Sequence, residues 1–330
     1  MKKRHFLLLI TISLLLFLFC ACQNNASTSN GKNTVRITFQ YADGTIHEIM
    51  EVEQGAPIPM PVDPIQKNHI FIGWYTHLVY GGKFDLSQGA TQDITLYAKF
   101  QLDAAAITND ITKNVMKSIV KVECRSYNMF LGIFETSSTG WSQGSGFCYY
   151  TNDGYYYILT NCHVACKNPD YDRLEIKIFD YKGNEYKGYL YNNPNKNIDA
   201  ISADYDLACL YFKTNQTEVT PLSLSARKPE EESDVIVLGA PQAQANAITF
   251  GKITDYRSIS LDDTPQYKSN VTFPVLCHSA YTANGSSGGP VLNSELEVVG
   301  IHYAGNSTLK TGYAIPAEKI QEFLRKYAYN

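Results

Sequence analysis

Between residues 119 and 298 the sequence is a succession of short apolar segments separated by turn residues. Many short strands with turns between them favour a β-barrel or sandwich over a parallel α/β sheet, in which strands alternate with helices. We therefore predict an all-β fold here, with a helix within 101–117 before it and a terminal helix over 316–326 that has Pro316 at its first position. The predicted strands are 119–124, 146–150, 155–160, 174–177, 207–211, 235–238 and 271–277.

One serine in this region lies in a glycine-rich turn, GSSGGP at residues 285–290. A nucleophilic serine needs an exposed hydroxyl and backbone N–H groups that point at the developing oxyanion, and glycines permit the tight turn that this requires. The segment predicts Ser287 as a nucleophile, with the N–H groups of Gly285 and Ser287 as the oxyanion hole. Taken alone, it fits a simple turn before a strand equally well.

A histidine and an aspartate upstream of Ser287 decide between these interpretations. His163 comes just after a predicted strand, and Asp206 comes just before another. The order His, Asp, Ser is one in which catalytic triads occur, and in such a triad His163 takes the serine proton while Asp206 holds the imidazole tautomer. Asp204 is the alternative carboxylate, but the apolar run follows Asp206 directly and favours the burial of Asp206.

The segments around these residues resemble the trypsin/chymotrypsin superfamily, and more narrowly the bacterial high-temperature-requirement serine proteases. The resemblance implies two perpendicular six-stranded β-barrels with the triad at their junction, and then a terminal helix. Because the chain stops after that helix, we expect no PDZ domain. The segments that carry the likeness over about residues 105–330 are 144–147, 159–164, 206–208, 237–241, 251–253, 285–290 and 311–316.

A second resemblance concerns specificity for P1, the substrate residue before the cleaved bond. The segment VGIHYAG at 299–305 is similar to a strand of secreted bacterial glutamyl endopeptidases. His302 and Thr282 match that family's carboxylate-binding pair, and an imidazole N–H and a hydroxyl are suitable donors to a glutamate in a desolvated pocket. The alternative is that His302 is a hydrogen-bonded strand residue in a protease that prefers small aliphatic P1 residues.

The N-terminus has the pattern of a bacterial lipoprotein signal. Basic residues at 2–4 precede an apolar core of secretory-signal length, which is short for a membrane-spanning helix. Ala21 before Cys22 resembles the lipobox, in which a small residue precedes the cysteine that receives diacylglycerol. The resemblance predicts a signal peptide over 1–21, lipidation of Cys22 and a flexible tether over 22–33. A plain secretory signal is the alternative.

A separate β domain is predicted over residues 34–100. Two alternating segments around an Ala-Asp-Gly turn predict a hairpin. The segments GWYT at 73–76 and TLYAKF at 95–100 resemble the internalin B-type repeat of bacterial surface proteins. That resemblance implies a small β-grasp-like module that acts as a spacer or binds a surface or host protein. The protease-like domain then occupies residues 101–330.

Net charge and the cysteine and histidine pattern limit which partners and cofactors we expect. A net charge of −4 without a basic run argues against nucleic acid as a partner. Acyl transfer to serine requires no metal or organic cofactor, so we expect none. Cys162 and Cys166 flank His163, but no second Cys/His pair has ligand spacing, so structural thiols are favoured over a metal site.

These features together predict an exported serine endopeptidase that acts on protein or peptide substrates. It would work in cell-envelope protein processing or quality control and be attached to the membrane through an N-terminal lipid anchor. The alternative is a catalytically silent surface adhesin in which the repeat domain binds the ligand. Residues 128–142 are a candidate insertion, whose position the sequence does not predict.

Overall fold

The computed structural model describes residues 33–79, 81–215, 218–239, 247–261 and 264–328. The chain divides into two compact units, one with the residues up to Pro61 and Tyr75–Tyr97, the other with Val62–Trp74 and the residues from Ala98. The predicted signal peptide and Cys22 lie outside the described residues, as does the tether except for its last residue, Asn33. The predicted domain limits at 34, 100 and 101 stay a prediction.

The strands of the repeat region form one mixed sheet. β1 pairs antiparallel with β2 and parallel with β4, and the strand order is β2-β1-β4-β3 for the strands β1 (Thr34–Gln40), β2 (Ile46–Glu53), β3 (His69–Tyr75) and β4 (Ile94–Leu102). Alternate side chains of a strand point to opposite faces of a sheet, and β1 accordingly buries Val35, Ile37 and Phe39. A 3₁₀ turn, Leu86–Gln88, precedes β4.

The predicted lead-in helix is present, although it starts after the end of β4. Helix α1 spans Ala104–Asp110, and the Asp103 carboxylate caps it by accepting from the N–H groups of Ala105 and Ala106. The chain continues as a π-helical turn, Ile111–Val115, and a 3₁₀ turn, Met116–Ser118.

The first barrel is formed by six long strands. The pairing of β13 with β9 closes the sheet order β13-β7-β6-β5-β8-β9 into a barrel, with β12 added at its edge. Helix α2 (Cys162–Ala165) follows β7 directly. The six barrel strands are β5 (Ile119–Phe130), β6 (Phe134–Asn152), β7 (Tyr155–Thr160), β8 (Arg173–Phe179), β9 (Glu185–Leu190) and β13 (Leu207–Lys213). The edge strand is β12 (Ile201–Ser202), and the short strands β10 (Asn192–Asn193) and β11 (Ile198–Asp199) form a separate two-stranded sheet.

Residues 128–142, which the sequence leaves without a position, belong to the hairpin of β5 and β6. Pairing between these strands continues to Phe130 and Phe134. Pairing of β5 with β8 ends at the Tyr127–Arg173 pair. Among the described residues, the last part of the hairpin therefore has strand pairing only between β5 and β6 and extends beyond the barrel sheet.

The second barrel is closed in the order β14-β15-β16-β19-β18-β17. Its strands are β14 (Asp234–Gly239), β15 (Ala247–Arg257), β16 (Val275–His278), β17 (Pro290–Leu292), β18 (Val298–Asn306) and β19 (Thr311–Pro316). Helix α3 (Ala317–Phe323) follows and ends in a π-helical turn, Leu324–Ala328. Pro316 was predicted at the first position of this helix but is its N-cap, because it pairs with Gly300 as the last residue of β19.

Two closed six-stranded barrels with a short C-terminal helix confirm the predicted all-β fold. Both barrels have apolar interiors and share a buried cluster, in which Phe147, Leu159, Ile236 and Phe323 are completely inaccessible to solvent. Within the part of the chain that the structure describes, no helix combines the length and apolar character needed to cross a membrane.

Candidate active site

His163 and Asp206 are in direct contact. Helix α2 begins immediately after strand β7 and presents His163 in its first turn. The Nδ1 atom of His163 is 2.8 Å from Asp206 Oδ2, and the His163 backbone N–H donates to Asp206 Oδ1 at 3.0 Å. Because Nδ1 must carry the proton to donate to a carboxylate, Nε2 of a neutral His163 keeps its lone pair. The imidazole is thus oriented as a base.

Asp206 sits at the end of a tight turn before β13. Its side chain is completely buried, and its φ of +49° lies in the left-handed region, which aspartate tolerates better than most residues. The buried Asn161 side chain donates to the Asp206 carbonyl at 2.9 Å. Asp204, the alternative carboxylate, is turned toward Asn270, whose Nδ2 donates to it at 3.0 Å.

The turn that carries Ser287 packs against the first barrel close to α2. The Ser145 N–H donates to the Ser287 carbonyl at 2.7 Å. A methyl group in place of a hydrogen of Gly144 would be 2.7 Å from the Ser287 carbonyl oxygen and 2.6 Å from Val164, the residue after His163. The two barrels therefore bring the predicted serine to the helix that bears the predicted base.

Ser145 fixes the conformation of this turn. Its hydroxyl donates to the Gly285 carbonyl at 2.7 Å, and its own carbonyl accepts from the Thr160 hydroxyl at 2.7 Å. Thr160 ends the strand that leads to His163. One chain of hydrogen bonds thus links the base segment to the serine turn, a link that a prediction from local motifs does not include.

Two backbone N–H groups of the serine turn are available to an external acceptor. Within the described residues, neither the Gly285 N–H nor the Ser287 N–H donates a hydrogen bond, whereas the intervening Ser286 N–H donates to the Ala283 carbonyl at 2.9 Å. Gly285 has a φ of +98°, which glycine adopts without strain. These are the two groups that the sequence predicts as the oxyanion hole.

The Ser287 hydroxyl points toward strand β18. Its hydrogen bond among the described residues is a long one, 3.5 Å, to the Tyr303 carbonyl. No hydrogen bond joins it to His163 in this part of the chain. Catalytic hydrogen bonds are often long or misaligned without substrate, and rotation of a serine between staggered side-chain conformers is a small change.

His302 is buried and paired with a second histidine, His278, which the sequence analysis did not single out. The distance from His278 Nε2 to His302 Nδ1 is 3.3 Å. Burial lowers the pKa of His278 to about 4, and burial next to His278 lowers the pKa of His302 well below its ordinary value. Both rings are therefore neutral at physiological pH.

Thr282 lies close to strand β18, which carries His302. A methyl group at Gly305, three residues after His302, would be 3.3 Å from Thr282 Oγ1. Thr282 is half-buried, and among the described residues no hydrogen bond joins it to His302. His302 is thus on strand β18 and Thr282 is beside this strand, with no hydrogen bond between the two side chains among the described residues.

The six cysteines in the described residues are all free thiols. Cys162 and Cys166 are neighbours on either side of His163. The hydrogen bond between them lowers the pKa of Cys166 and, with burial, raises that of Cys162. No three His, Cys, Asp or Glu side chains in the described part of the chain are grouped as metal ligands.

Comparison with known proteins agrees with this architecture. Residues 144–301 match the family described as the trypsin-like peptidase domain, and residues 36–99 match the Listeria-Bacteroides repeat domain. Mitochondrial serine protease HTRA2 of Bos taurus is 28% identical over 219 residues, which cover 66% of this chain and 42% of the relative. HTRA2 of Drosophila virilis is 27% identical over 66% of this chain and 47% of the relative.

This chain spans less than half the length of these curated relatives. Among solved structures, the active form of the Rv3671c protease from M. tuberculosis superposes with a TM-score of 0.53 at 21% identity, over 69% of this chain and 88% of that chain. That likeness concerns the fold. Residues 144–301 are therefore similar to trypsin-like peptidase domains, 66% of the chain is similar to serine protease HTRA2, and residues 36–99 are similar to the Listeria-Bacteroides repeat domain.

Proposed function

We propose that the protein is a serine endopeptidase that cleaves proteins or peptides through an acyl-enzyme on Ser287. The observation that carries the proposal is the buried Asp206 carboxylate, which orients His163 as a base beside the serine turn. The N–H groups of Gly285 and Ser287, which have no acceptor among the described residues, add a pair of donors for an oxyanion.

The chemistry follows from these groups. Ser287 Oγ attacks the peptide carbonyl while His163 Nε2 takes its proton, and Asp206 stabilises the resulting imidazolium. The carbonyl oxygen gains negative charge and accepts from the two backbone N–H groups. His163 then gives its proton to the leaving amine, the C–N bond breaks, and water releases the acyl group by the same steps.

Labelling with a fluorophosphonate tests this proposal, because only an activated serine displaces fluoride from phosphorus. We expect one adduct by intact mass in the parent protein, none in Ser287→Ala and slow labelling in His163→Ala. Ser294→Ala, which removes a half-buried serine whose hydroxyl donates to Glu295 in the same barrel, should label like the parent. A folded parent protein without an adduct would contradict the proposal and favour the silent adhesin.

We propose further that the peptidase prefers glutamate at P1, and the histidine pair supports this preference. The Nε2 atom of His278 lies 3.3 Å from His302 Nδ1. In the tautomer in which His278 Nε2 donates to His302 Nδ1, the proton of His302 is on Nε2. That N–H has no partner among the described residues and suits a carboxylate.

We also propose that the protein is exported and lipid-anchored, with a role in processing or quality control of envelope proteins. The support is the sequence of residues 1–22, and the repeat at 36–99 is a candidate binding module for a surface or host protein. Metabolic labelling with a fatty acid tests the anchor. Label should disappear in Cys22→Ser and persist in Cys20→Ser; label retained in Cys22→Ser would refute the proposal.

A further inference from the structure

The tip of the β5–β6 hairpin is built from large apolar side chains that are exposed to solvent. Phe130, Leu131, Ile133 and Phe134 have 62%, 75%, 71% and 63% of their surface exposed. Gly132 is the remaining residue of the tip. Scattered single apolar residues are common on protein surfaces, but an apolar patch formed by a continuous segment marks an interaction site. The tip is therefore not explained by folding of the barrel.

The turn at this tip contains Leu131, an exposed apolar residue in a backbone conformation that disfavours leucine. The Ile133 N–H donates to the Phe130 carbonyl at 3.1 Å, and the two central residues, Leu131 and Gly132, have φ values of +52° and +71°. This is the pattern of a type I′ turn, in which Asn-Gly or Asp-Gly is strongly preferred. A leucine at the first central position costs backbone energy and exposes an apolar side chain, so its presence points to a function of the tip.

The apolar side chains come from both the strand ends and the turn of the hairpin. Phe130 and Phe134 are directly paired across the strands and share one face, Leu131 and Ile133 occupy the turn that joins them, and each of the four is at least 62% exposed. Beyond the pair Tyr127–Arg173 the hairpin has no further strand beside it among the described residues. A flat protein partner covers one face of such a projection, whereas the apolar boundary of a bilayer surrounds an inserted loop on every side.

The base of the hairpin is polar and carries charged side chains. Arg125 forms ion pairs with Glu135 and Glu175. The Asn128 side chain donates to the Asp170 carbonyl at 3.1 Å and accepts from the Asp172 N–H at 2.8 Å. The apolar segment thus begins abruptly after Asn128.

We propose that residues 130–134 insert into the interfacial layer of a lipid bilayer and hold the peptidase domain against the membrane surface. Insertion buries the four apolar side chains and leaves the polar base of the hairpin in water. A lipid anchor on Cys22 would keep the protein near such a surface, but the inference rests only on the hairpin. It is independent of the catalytic proposal.

Vesicle co-sedimentation tests this inference with a chain that starts at Gln23 and keeps every described residue. The probes are vesicles of phosphatidylcholine alone and vesicles that also contain phosphatidylglycerol. We expect binding to both. The double variant Leu131→Asn, Ile133→Thr installs the preferred Asn-Gly turn, so it keeps the hairpin while it removes apolar surface. It should bind about tenfold or more weakly.

Leu309→Asn is the matched control, because Leu309 is an isolated residue of the same unit with 60% of its surface exposed. It should bind vesicles like the parent, and all variants should keep the parent's rate of peptide hydrolysis. A second measurement is independent of affinity: tryptophan emission from Phe134→Trp should shift to the blue on addition of vesicles and be quenched by brominated acyl chains. Leu309→Trp should show neither effect.

Three results would overturn the proposal. The parent protein could fail to sediment with either type of vesicle, or the double variant could bind as tightly as Leu309→Asn. Alternatively, the parent could self-associate in sedimentation velocity without binding lipid, and the double variant could remain monomeric. The last result would assign the tip to contacts between copies of this chain.

Discussion

At the scale of single residues, the strongest constraint in the site is the position of the Asp206 carboxylate. It is buried, and Oδ1 and Oδ2 accept from the backbone N–H and Nδ1 of His163. The left-handed backbone at this position, with φ of +49°, is tolerated by asparagine as well as by aspartate. Asp206→Asn therefore preserves the turn and the contact with the His163 N–H while it removes the charge.

We expect Asp206→Asn to fold normally and to lose activity. The amide cannot stabilise an imidazolium and favours the wrong imidazole tautomer, an exchange that lowers kcat by about 10⁴-fold in triads of this kind. Steady-state kinetics should show the loss in kcat rather than in KM. Asp204→Asn is the control and should retain most activity. If Asp204→Asn lost activity and Asp206→Asn did not, Asp204 and not Asp206 would be the carboxylate that orients His163.

The second prediction at this scale concerns the neutral histidine pair and P1 specificity. His302→Ala removes the N–H that would face a P1 carboxylate, so a charged acceptor would remain unpaired in the site. kcat/KM for a substrate with Glu at P1 should fall by about 10- to 100-fold. A substrate that is identical except for Gln at P1 should lose much less. Equal losses for the two substrates would refute the glutamate preference.

At the scale of elements, the turn of Ser287 depends on the absence of a side chain at Gly288. Its φ is +86°, and a methyl group there would stand 2.0 Å from the Ser145 carbonyl oxygen. Gly183 is a matched position: its φ is +85°, but a methyl group there would meet nothing within 4 Å. The comparison of the two alanine variants separates steric overlap from backbone strain.

Gly183→Ala should lower the free energy of unfolding by about 1 kcal/mol, the usual cost of a left-handed conformation for a residue with a Cβ. Gly288→Ala should cost about 3 kcal/mol or more, because the turn must also move away from Ser145. Urea unfolding measures both values. Equal costs would mean that the two barrels separate readily at this contact and that the Ser145 link is weak.

The elements differ in how far the sequence predicts them. Strand β7 ends three residues before His163 and strand β13 begins directly after Asp206, so local alternation and motif agree there. The hairpin tip belongs to residues 128–142, a candidate insertion whose position the sequence does not predict, and the structure extends it past the end of the pairing with β8. The pair of His278 and His302 joins residues 24 positions apart, and only barrel closure brings them together.

At the scale of the whole molecule, the buried pair of His278 and His302 makes the stability of the second barrel depend on pH. His278 and His302 stand on strands β16 and β18, on either side of β19, whose Gly312 and Ala314 leave room for the two rings. A methyl group at Gly312 would be 2.2 Å from the His278 ring, so no water can reach that face. A proton on either imidazole would therefore be a buried charge without solvation.

Because the folded-state pKa of His278, about 4, lies below the ordinary value of 6.5, the unfolded chain binds more protons between these pH values. The free energy of unfolding is highest above pH 6.5 and falls as the pH falls toward 4. The neutral state of His278 contributes about 3 kcal/mol to this free energy. His302 acts in the same direction. His278→Gln should reduce the slope of unfolding free energy against pH by about 1.4 kcal/mol per pH unit in this window. An unchanged slope in urea titrations at successive pH values would mean that the pair takes up a proton without unfolding the barrel.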